Sequence, residues 1–343
     1  MSEELNIFQI NGMLAFIASL VCTRLLISAH LNDAPNDARK LHDKNNATAG
    51  GLAIILGFCA GLISLNHQMG LVENKQILFV VGLSLSLGLI GLIDDVFTLK
   101  SHFRMALLVL IIGLFLRPEF VVKTLPIYTG IRIEIGMIFG IVGSFLWLML
   151  MINAVNFMDG ANGVAFGAIS ISFIGLGAMC FLHGEIGGAA MCFLATAAIW
   201  GFLTYNVGKG NIFAGDVGSW FIGGLYGAMG LLAAKAGVNV FAIALCALPI
   251  LADVILTIIH RIKLGENILS AHNRHIYQRI IKGGKSHFYT ALLLWLQTQV
   301  CVAAAIAGDK FAQNYQAVIF AGMVVIYIIA FAILRPRLEA KII

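Results

Sequence analysis

Apolar runs about as long as a membrane-crossing helix recur along the whole chain, and they constrain its fold more than any other feature. A helix is the natural form for such a run, because in lipid every backbone polar group must be bonded within the segment. Few of the 343 residues remain for anything else. The sequence therefore predicts one all-α domain over residues 1–343, a polytopic membrane helical bundle with about 11 transmembrane helices. The runs lie at 10–29, 49–66, 76–93, 104–117, 136–152, 164–182, 186–204, 220–234, 238–260, 288–307 and 315–334.

Basic residues predict how the bundle is oriented, because cytoplasmic loops of membrane proteins hold an excess of Lys and Arg. With the N-terminus outside, the inward loops carry 14 of them and the outward loops carry five. We therefore predict an outside N-terminus and a cytoplasmic C-terminus. The shortest run, 104–117, has a buried or re-entrant segment as its alternative, but a full crossing keeps the polar clusters on one face. The outward five are Lys75, Lys123, Arg132, Lys235 and Lys310.

Two further features narrow the function. The net charge of +5 follows from the loop bases of a membrane protein, so no nucleic-acid partner is predicted. The six cysteines all fall in apolar runs without metal-site spacing, which indicates small apolar packing residues. On the outward side, the alternating segment Ile131–Ile135 predicts a small β-hairpin.

Clusters of acids, amides and imidazoles follow four of the apolar runs. They begin at Asp94, Asn153, Asp216 and His272. If the spans alternate in direction, all four clusters emerge on one face of the membrane. A protein that gathers such side chains on one face is expected to do chemistry there on a charged, soluble substrate.

The pair Asp94-Asp95 has two interpretations. It could mark the water boundary of a helix, but acids at a helix C-terminus oppose the macrodipole and no partner follows immediately. The placement favours a functional role. Two carboxylates at one site hold a divalent cation, or one acts as a base while the other is structural.

The segment Asn153–Gly163 and Asp216 offer further oxygen ligands. Asn156, Asp159 and Asn162 are spaced by three, so on a helical turn they share a face, and their oxygens suit Mg²⁺ or Mn²⁺. The alternative is a loop chosen for turn chemistry. Asp216, between glycines before a span, could be only an N-cap, although a cap can also bind a metal.

The segment Ala271–Arg279 carries two imidazoles and two guanidinium groups. On a helix, His272 and His275 share a face, with Arg279 one turn further. A zinc pair has no third ligand in view, so together with Arg274 the set resembles a phosphate-binding group. A solvated basic loop is the alternative.

Taken together, these motifs resemble those of the polyprenyl-phosphate N-acetylhexosamine-1-phosphate transferases, glycosyltransferase family 4. The likeness covers nearly the whole chain and is closest to the branch that initiates O-antigen synthesis. Many relatives have a second aspartate where this chain has Asn162, at a position thought to read uracil. The motifs, in order, are Arg39–His42 followed by Gly50-Gly51, Asp94-Asp95, Asn153–Gly163, Gly215–Ser219 and the histidine segment.

The resemblance implies that N-acetylhexosamine-1-phosphate, or a 6-deoxy N-acetyl sugar-1-phosphate, passes from a UDP-N-acetyl sugar to undecaprenyl phosphate, with release of UMP. It implies Mg²⁺, or Mn²⁺, on Asp216 and Asn156. Asp94 is then the acid nearest the lipid phosphate, and Asp95 and Asp159 complete the catalytic set. The implied substrate-binding residues are Asn206, Phe213, Asn162, His272, Arg274, His275 and Lys100.

The same resemblance implies a multi-pass protein of the bacterial inner (cytoplasmic) membrane with its active site on the cytoplasmic face, and a homodimer. It implies the first step of O-antigen, hence lipopolysaccharide, or of a related cell-envelope polysaccharide. The sugar stays open among GlcNAc, GalNAc, FucNAc and QuiNAc, and so does the choice between single and double displacement.

Two rival functions come from other classes. An ion-coupled secondary transporter keeps ionisable groups near the bilayer midplane. Here only Arg24 and Asp253 lie well inside spans, and Asp253, four residues after Pro249, is expected to bond a freed backbone group or mark a helix break. A non-catalytic lipid-binding scaffold leaves the carboxylates and amides unexplained.

Overall fold

The computed structural model describes most of the chain, in ranges separated by short gaps. The helices are α1 (Ser2–Ser28), α2 (Gly50–Met69), α3 (Lys75–Phe97), α4 (Ser101–Phe115), α5 (Gly136–Met158), α6 (Val164–Leu182), α7 (Ile186–Lys209), α8 (Gly215–Lys235), α9 (Val240–Cys246), α10 (Leu248–Lys263), α11 (Ile276–Lys282), α12 (His287–Phe311) and α13 (Gln316–Glu339). The described residues are 2–29, 32–33, 46–47, 49–71, 74–128, 130–210, 212–267, 270 and 272–340.

The predicted all-α membrane bundle is confirmed. Within the described ranges, nine helices are long and apolar enough to cross a bilayer, or ten if the bent pair α9–α10 is one crossing. The short α4 is also apolar. The eleven predicted runs thus coincide with α1 to α8, the α9–α10 pair, α12 and α13. Which face is cytoplasmic stays a prediction.

The run 238–260 is one segment in the sequence but two helices in the structure. α9 and α10 meet at Ala247 with a bend of 82°. Pro249 lies in the first turn of α10, where its missing N–H costs nothing and its ring prevents the preceding helix from continuing. The break turns α10 away from the axis of α9.

α8 is the central helix of the bundle and is buried along nearly its whole length. It packs against α3, α5 and α2. Glycine allows the close approach that helix packing in lipid requires. A Cβ added to Gly91 of α3 would lie 2.3 Å from the carbonyl oxygen of Asp216, and one added to Gly223 would lie 2.7 Å from the Cα of Ile152.

Two small antiparallel pairs complete the fold. β1 (Asn32–Asp33) pairs with β2 (Asn46–Ala47). At the other end of the bundle, β3 (Thr124–Tyr128) pairs with β4 (Ile131–Glu134) in the register Thr124 to Glu134. This second pair is the hairpin that the alternating segment predicts.

Several helices continue past the apolar runs that define them. α3 extends to Phe97 and α5 to Met158, while α8 begins at Gly215. The polar clusters expected after the runs therefore lie on the last or first helical turns. Because these turns are helical, the backbone fixes the direction in which each polar side chain leaves its helix.

Candidate active site

Asp216, in the first turn of α8, is bound by side chains from two other helices. Its Oδ1 accepts a short hydrogen bond from the Nδ2 of Asn156 on α5, and the same amide donates to the Oγ of Ser219 at 2.9 Å. Its Oδ2 lies 3.3 Å from the Nη1 of Arg104 on α4. Three helices therefore hold this carboxylate in place.

Asp94, near the end of α3, shares the same guanidinium. Its Oδ2 lies 3.0 Å from the Nη1 of Arg104, and its Oδ1 accepts the backbone N–H of Leu99 at 2.8 Å. The side chain is 4% exposed, against 19% for Asp216. No partner follows Asp94 immediately in the sequence, and the cation that pairs with it lies ten residues further along the chain.

Arg104 is the site residue that sequence reasoning missed, because as the first residue of the apolar run 104–117 it looks like the end of a span. One cation bridges carboxylates from α3 and α8, which relieves part of the repulsion between them. A usable signal was present. A basic residue that opens a short apolar run, ten residues after paired acids, is placed to fold back on them.

Asp95 has a different task from its neighbour. Its two carboxylate oxygens accept the backbone N–H groups of Asp216 and Val217, at 2.9 and 3.0 Å. A carboxylate at a helix N-terminus satisfies free N–H groups and complements the macrodipole. Asp95 thus caps α8 from another helix, whereas the N-cap residue Ala214 makes no side-chain cap, so the interpretation of Asp216 as an N-cap is wrong.

Asp159 ends α5 and is half-buried between the other acids. Burial raises the pKa of its carboxyl well above the usual range, and the negative charges of Asp216 and Asp95 raise it further. In the described ranges its carboxylate makes no hydrogen bond or ion pair. Asp159 is therefore the acid of this group that is left to meet a ligand. We call Asp94, Asp95, Asp159 and Asp216 the acid-rich end.

The donor atoms at the acid-rich end are all oxygen. No three His, Cys, Asp or Glu side chains among the described residues are already grouped to hold a metal ion. Mg²⁺ in phosphate chemistry usually takes one or two carboxylates and completes its shell with substrate phosphates and water. Asp216 and Asp159, with the Oδ1 of Asn156 free of any described partner, fit that requirement.

Two of the predicted nucleotide-binding residues are buried. The Oδ1 of Asn206 accepts the N–H of Gly163 at 2.7 Å, and its Nδ2 donates to the carbonyl of Ile212 at 2.8 Å. Phe213 is 8% exposed, and its carbonyl accepts the N–H of Gly50. These contacts favour positioning roles over direct contact with a nucleotide for both residues.

Asn162 and Lys100 are placed differently. The Oδ1 of Asn162 is buried and has no hydrogen-bond partner among the described residues. Its Nδ2 lies 2.3 Å from the position of a Cβ on Gly210, so the loop before α8 passes very close to it. The side chain of Lys100 is exposed at the start of α4. Asn162, three residues after Asp159, thus has an acceptor with no described partner, and Lys100 is an exposed cation six residues after Asp94.

The histidine segment is not helical where the sequence predicts a shared helical face. α11 begins at Ile276, and its N-terminal N–H groups at Ile276 and Tyr277 are accepted by Asp253 of α10, at 2.9 and 3.2 Å. His275 also lies 3.3 Å from Asp253, through its Nδ1. Asp253 therefore bonds the free N–H groups at the start of α11 rather than a group freed by Pro249, and it holds His275 just before that helix.

His272 and His275 still lie together, with ring centroids 5.0 Å apart. Burial, followed by the charges of His275 and Arg261, lowers the pKa of His272 from 6.5 to about 3. Its Nδ1 accepts the N–H of Arg274 at 3.3 Å, which requires that nitrogen to be unprotonated. His272 is therefore neutral at physiological pH.

The guanidinium groups of the segment are not equivalent. Arg274 pairs with Glu266, whose other oxygen lies 3.1 Å from the Nε of the buried Arg261. The hydrogen bond from Arg261 lowers the pKa of Glu266. The Nε of Arg279 is buried and has no partner among the described residues. Arg279 is thus the less neutralised of the two predicted phosphate ligands.

Tyr277 joins the histidine segment to the acid-rich end. Its hydroxyl donates to the carbonyl of Phe157 at 3.0 Å, and the ring of Phe157 lies 6.2 Å from that of His275. Gly160 permits this approach, because a Cβ there would lie 2.3 Å from the tyrosine oxygen. The imidazoles are therefore held beside the last turn of α5, next to Asn156 and Asp159.

The first predicted motif is described only in part. Arg39–His42 lies outside the described residues. The glycines that follow it are described: the N–H groups of Gly50 and Gly51 donate to the carbonyls of Phe213 and Ala214, at 2.9 and 2.8 Å. The start of α2 therefore supports the loop that leads into α8.

Comparison with known proteins agrees with this arrangement. The model of the family described as "Glycosyl transferase family 4" matches residues 77–234, from α3 to α8. A probable undecaprenyl-phosphate N-acetylglucosaminyl 1-phosphate transferase of Bacillus subtilis (strain 168) is 29% identical over 301 residues, 83% of this chain and 81% of the relative. Over residues 77–234 the chain is therefore similar to glycosyl transferase family 4.

Two further relatives are similar to this chain over most of its length. An undecaprenyl-phosphate alpha-N-acetylglucosaminyl 1-phosphate transferase of Yersinia pestis is 25% identical over 90% of this chain and 84% of its own length. A phospho-N-acetylmuramoyl-pentapeptide-transferase of Prochlorococcus marinus is 28% identical over 66% of this chain and 67% of its own length. The family-model match contains all four acids and Arg104 but not the histidine segment.

Proposed function

We propose that this protein transfers an N-acetylhexosamine-1-phosphate from a UDP-sugar to undecaprenyl phosphate and releases UMP. The observation that carries the proposal is the acid-rich end, where Asn156 and Arg104 hold Asp216. The charge of Asp216 acts on nearby Asp159, whose carboxylate makes no hydrogen bond or ion pair with the described residues. Relatives named for this reaction support it.

The reaction sets the electrostatic requirement. An oxygen of the lipid phosphate attacks the phosphorus next to the sugar, a new P–O bond forms, and the bond to the bridging pyrophosphate oxygen breaks as UMP leaves. Both reactants are anions, so their repulsion must be cancelled by cations at the site. Arg104 supplies fixed positive charge between two of the acids, and Arg274 supplies it in the histidine segment.

A divalent ion, Mg²⁺ or Mn²⁺, would be held by Asp216 and Asn156, with Asp159 nearby, and would neutralise charge on the pyrophosphate as a Lewis acid. The chain itself fixes the ligands. Asp95 caps α8 and so sets the position of Asp216, while Asn156 orients the carboxylate through its amide.

Asp94 is the residue we assign to the lipid phosphate. Its carboxylate is already paired with Arg104, so an incoming phosphate would meet an acid and a cation side by side. In that position Asp94 either accepts the proton of the lipid phosphate or orients Arg104 toward it. Neutral His272 is available to donate a hydrogen bond to a phosphate oxygen, whereas His275 is 2% exposed, faces Asp253 and supports its neighbour.

We assign Asn162 to the uracil base. Among the described residues its buried Oδ1 has no donor, and a buried acceptor without a donor costs free energy that a ligand N–H would recover. The imide N–H of uracil is such a donor. An amide at this position, rather than a second aspartate, gives the base a neutral acceptor.

The finer assignment follows the resemblance and the names of the relatives. We propose a bacterial inner-membrane protein whose acid-rich end faces the cytoplasm, which works as a homodimer in cell-envelope polysaccharide synthesis, with O-antigen initiation as the first candidate. Two of the three relatives are named for N-acetylglucosamine, so UDP-GlcNAc is the first donor to test.

The test is UMP release by purified protein given undecaprenyl phosphate and a panel of UDP-N-acetyl sugars, with Mg²⁺, with Mn²⁺ and with excess chelator. The proposal predicts release that needs donor, lipid and metal together. An ion-coupled transporter or a lipid-binding scaffold releases no UMP. Full activity in chelator would remove the metal assignment but leave the transfer reaction standing.

A further inference from the structure

A cavity of about 490 Å³ opens at the end of the bundle opposite the acid-rich end. Lys235, which borders it, is the last residue of α8, whereas Asp216 is the second. A helix of 21 residues separates the two by roughly 30 Å. The cavity is therefore separate from the proposed transferase site, and no residue assigned to the reaction lines it.

Basic residues are concentrated at this cavity. Lys123, Arg132 and Lys235 all line it, with Glu119 as the acid among the lining residues. These three are most of the five Lys and Arg in the predicted outward loops, where basic residues are depleted. Lys235 is held in place, since its Nζ lies 5.3 Å from the centre of the Phe120 ring. We call Lys123, Arg132 and Lys235 the cationic end.

An apolar crevice of about 240 Å³ adjoins this cavity. The two share wall residues, including Leu231 and Ala234 of α8, and the crevice continues between Trp147 of α5 and Ile243 of α9. Gly143 borders it and is exposed, and a Cβ added there would meet nothing within 4 Å. The crevice therefore reaches the outer surface of the bundle, where lipid chains lie.

A cationic mouth joined to an apolar crevice at the membrane surface matches one class of ligand. A soluble anion leaves the crevice empty, and a neutral lipid leaves three positive charges around one acid. An anionic phospholipid satisfies both parts, and the surrounding bilayer presents its phosphate at this depth. We propose that the cationic end and the crevice bind one anionic phospholipid, with its phosphate among the basic residues and one acyl chain beside Trp147.

The first test measures binding of phosphatidylglycerol to the purified, delipidated protein by native mass spectrometry. Lys123→Gln, Arg132→Gln and Lys235→Gln in one variant should weaken binding about 100-fold, since each basic residue near an anionic lipid contributes about fivefold. Lys75→Gln with Lys310→Gln removes the remaining outward bases and should leave binding unchanged. Equal losses in the two variants, or no loss in the first, would overturn the proposal.

The second test fills the crevice without touching a charge. Gly143→Phe places a ring in open space, and it should weaken phosphatidylglycerol binding at least tenfold without lowering the melting temperature. Gly113→Phe is the matched control, because Gly113 is also exposed and also open. Binding of phosphatidylcholine as tight as that of phosphatidylglycerol, or a preference for undecaprenyl phosphate at this site, would contradict the assignment.

Discussion

The two ends of α8 lie among side chains of opposite charge. Comparing them shows that charge at a helix end does not by itself identify a catalytic site. Its first turn lies among four carboxylates, and its last residue is a lysine beside two other cations. Both arrangements complement the helix macrodipole, so charge alone does not mark either end as catalytic. The difference lies in the partners. At the acid-rich end the groups are tied together across α3, α4, α5 and α8, and Asp159 is left over.

A second contrast lies within the acids themselves. Asp95 and Asp253 each accept two backbone N–H groups at the start of another helix, α8 and α11, respectively. Both are positioning residues. Asp94 and Asp216 instead share the guanidinium of Arg104, which joins the end of α3 to the start of α8. Adjacent acids in the sequence thus serve different purposes in the fold.

Neutralising Asp94 is the most direct test of the different roles of Asp94 and Asp95, and it has the largest expected effect. Asp94→Asn keeps the acceptor for the N–H of Leu99 but removes the charge beside Arg104. If Asp94 takes the proton of the lipid phosphate, turnover should fall about 10²–10⁴-fold while donor binding survives. Turnover and UDP-sugar binding, measured separately, decide between the roles.

Two outcomes would move Asp94 out of that role. Near-normal turnover in Asp94→Asn would exclude it as a base. Loss of donor binding would place it with the metal or the nucleotide instead. Asp95→Asn is the matched variant: an amide can accept only one of the two N–H groups at the start of α8, so its main effect should be lower stability.

The close packing of α3 against α8 provides a second test of the acid-rich end, with a smaller expected effect. In Gly91→Ala the new methyl group would lie 2.3 Å from the carbonyl oxygen of Asp216 and must push α3 from α8. A displacement of about 1 Å at a reacting group costs roughly 10²-fold in rate. Turnover should fall by that order, whereas Gly113→Ala, in open space on α4, should leave it unchanged.

Much of the fold was predictable, because it depends on local properties of the chain. The length and hydropathy of each run define a span, and the Ile131–Ile135 alternation defines a hairpin. The site depends on contacts between distant residues. Asp95 caps a helix that begins 120 residues later, and Arg104 turns back on Asp94 after a short loop.

The histidine segment shows most clearly what sequence periodicity cannot predict. Spacing of three predicts a helical face for His272 and His275, but Asp253 of α10 binds the first N–H groups of α11 and sets its start after His275. The acid that decides the local structure is more than 20 residues away. The spacing of residues within the segment cannot predict a cap that comes from α10.

The smallest predicted effect concerns pH. His272 is neutral in the folded protein down to about pH 3, whereas an unfolded histidine takes up a proton below about 6.5. Unfolded chain therefore binds more protons as the pH falls through that window, and folding stability drops. Between pH 7.5 and 5.5 the wild type should lose on the order of 1–2 °C more in melting temperature than His272→Gln. An equal loss would contradict a buried, neutral His272.

The central claim is that the acid-rich end moves a sugar together with its phosphate. The direct measurement uses a UDP-sugar with radioactive phosphorus in the phosphate next to the sugar, and undecaprenyl phosphate as acceptor. The account predicts that the label appears in the lipid and that the released nucleotide is unlabelled UMP. It also predicts that Asp216→Asn abolishes both signals while Lys310→Gln, at the other end, changes neither. Labelled UDP as the released nucleotide, or no labelled lipid from any donor of the panel, would contradict it.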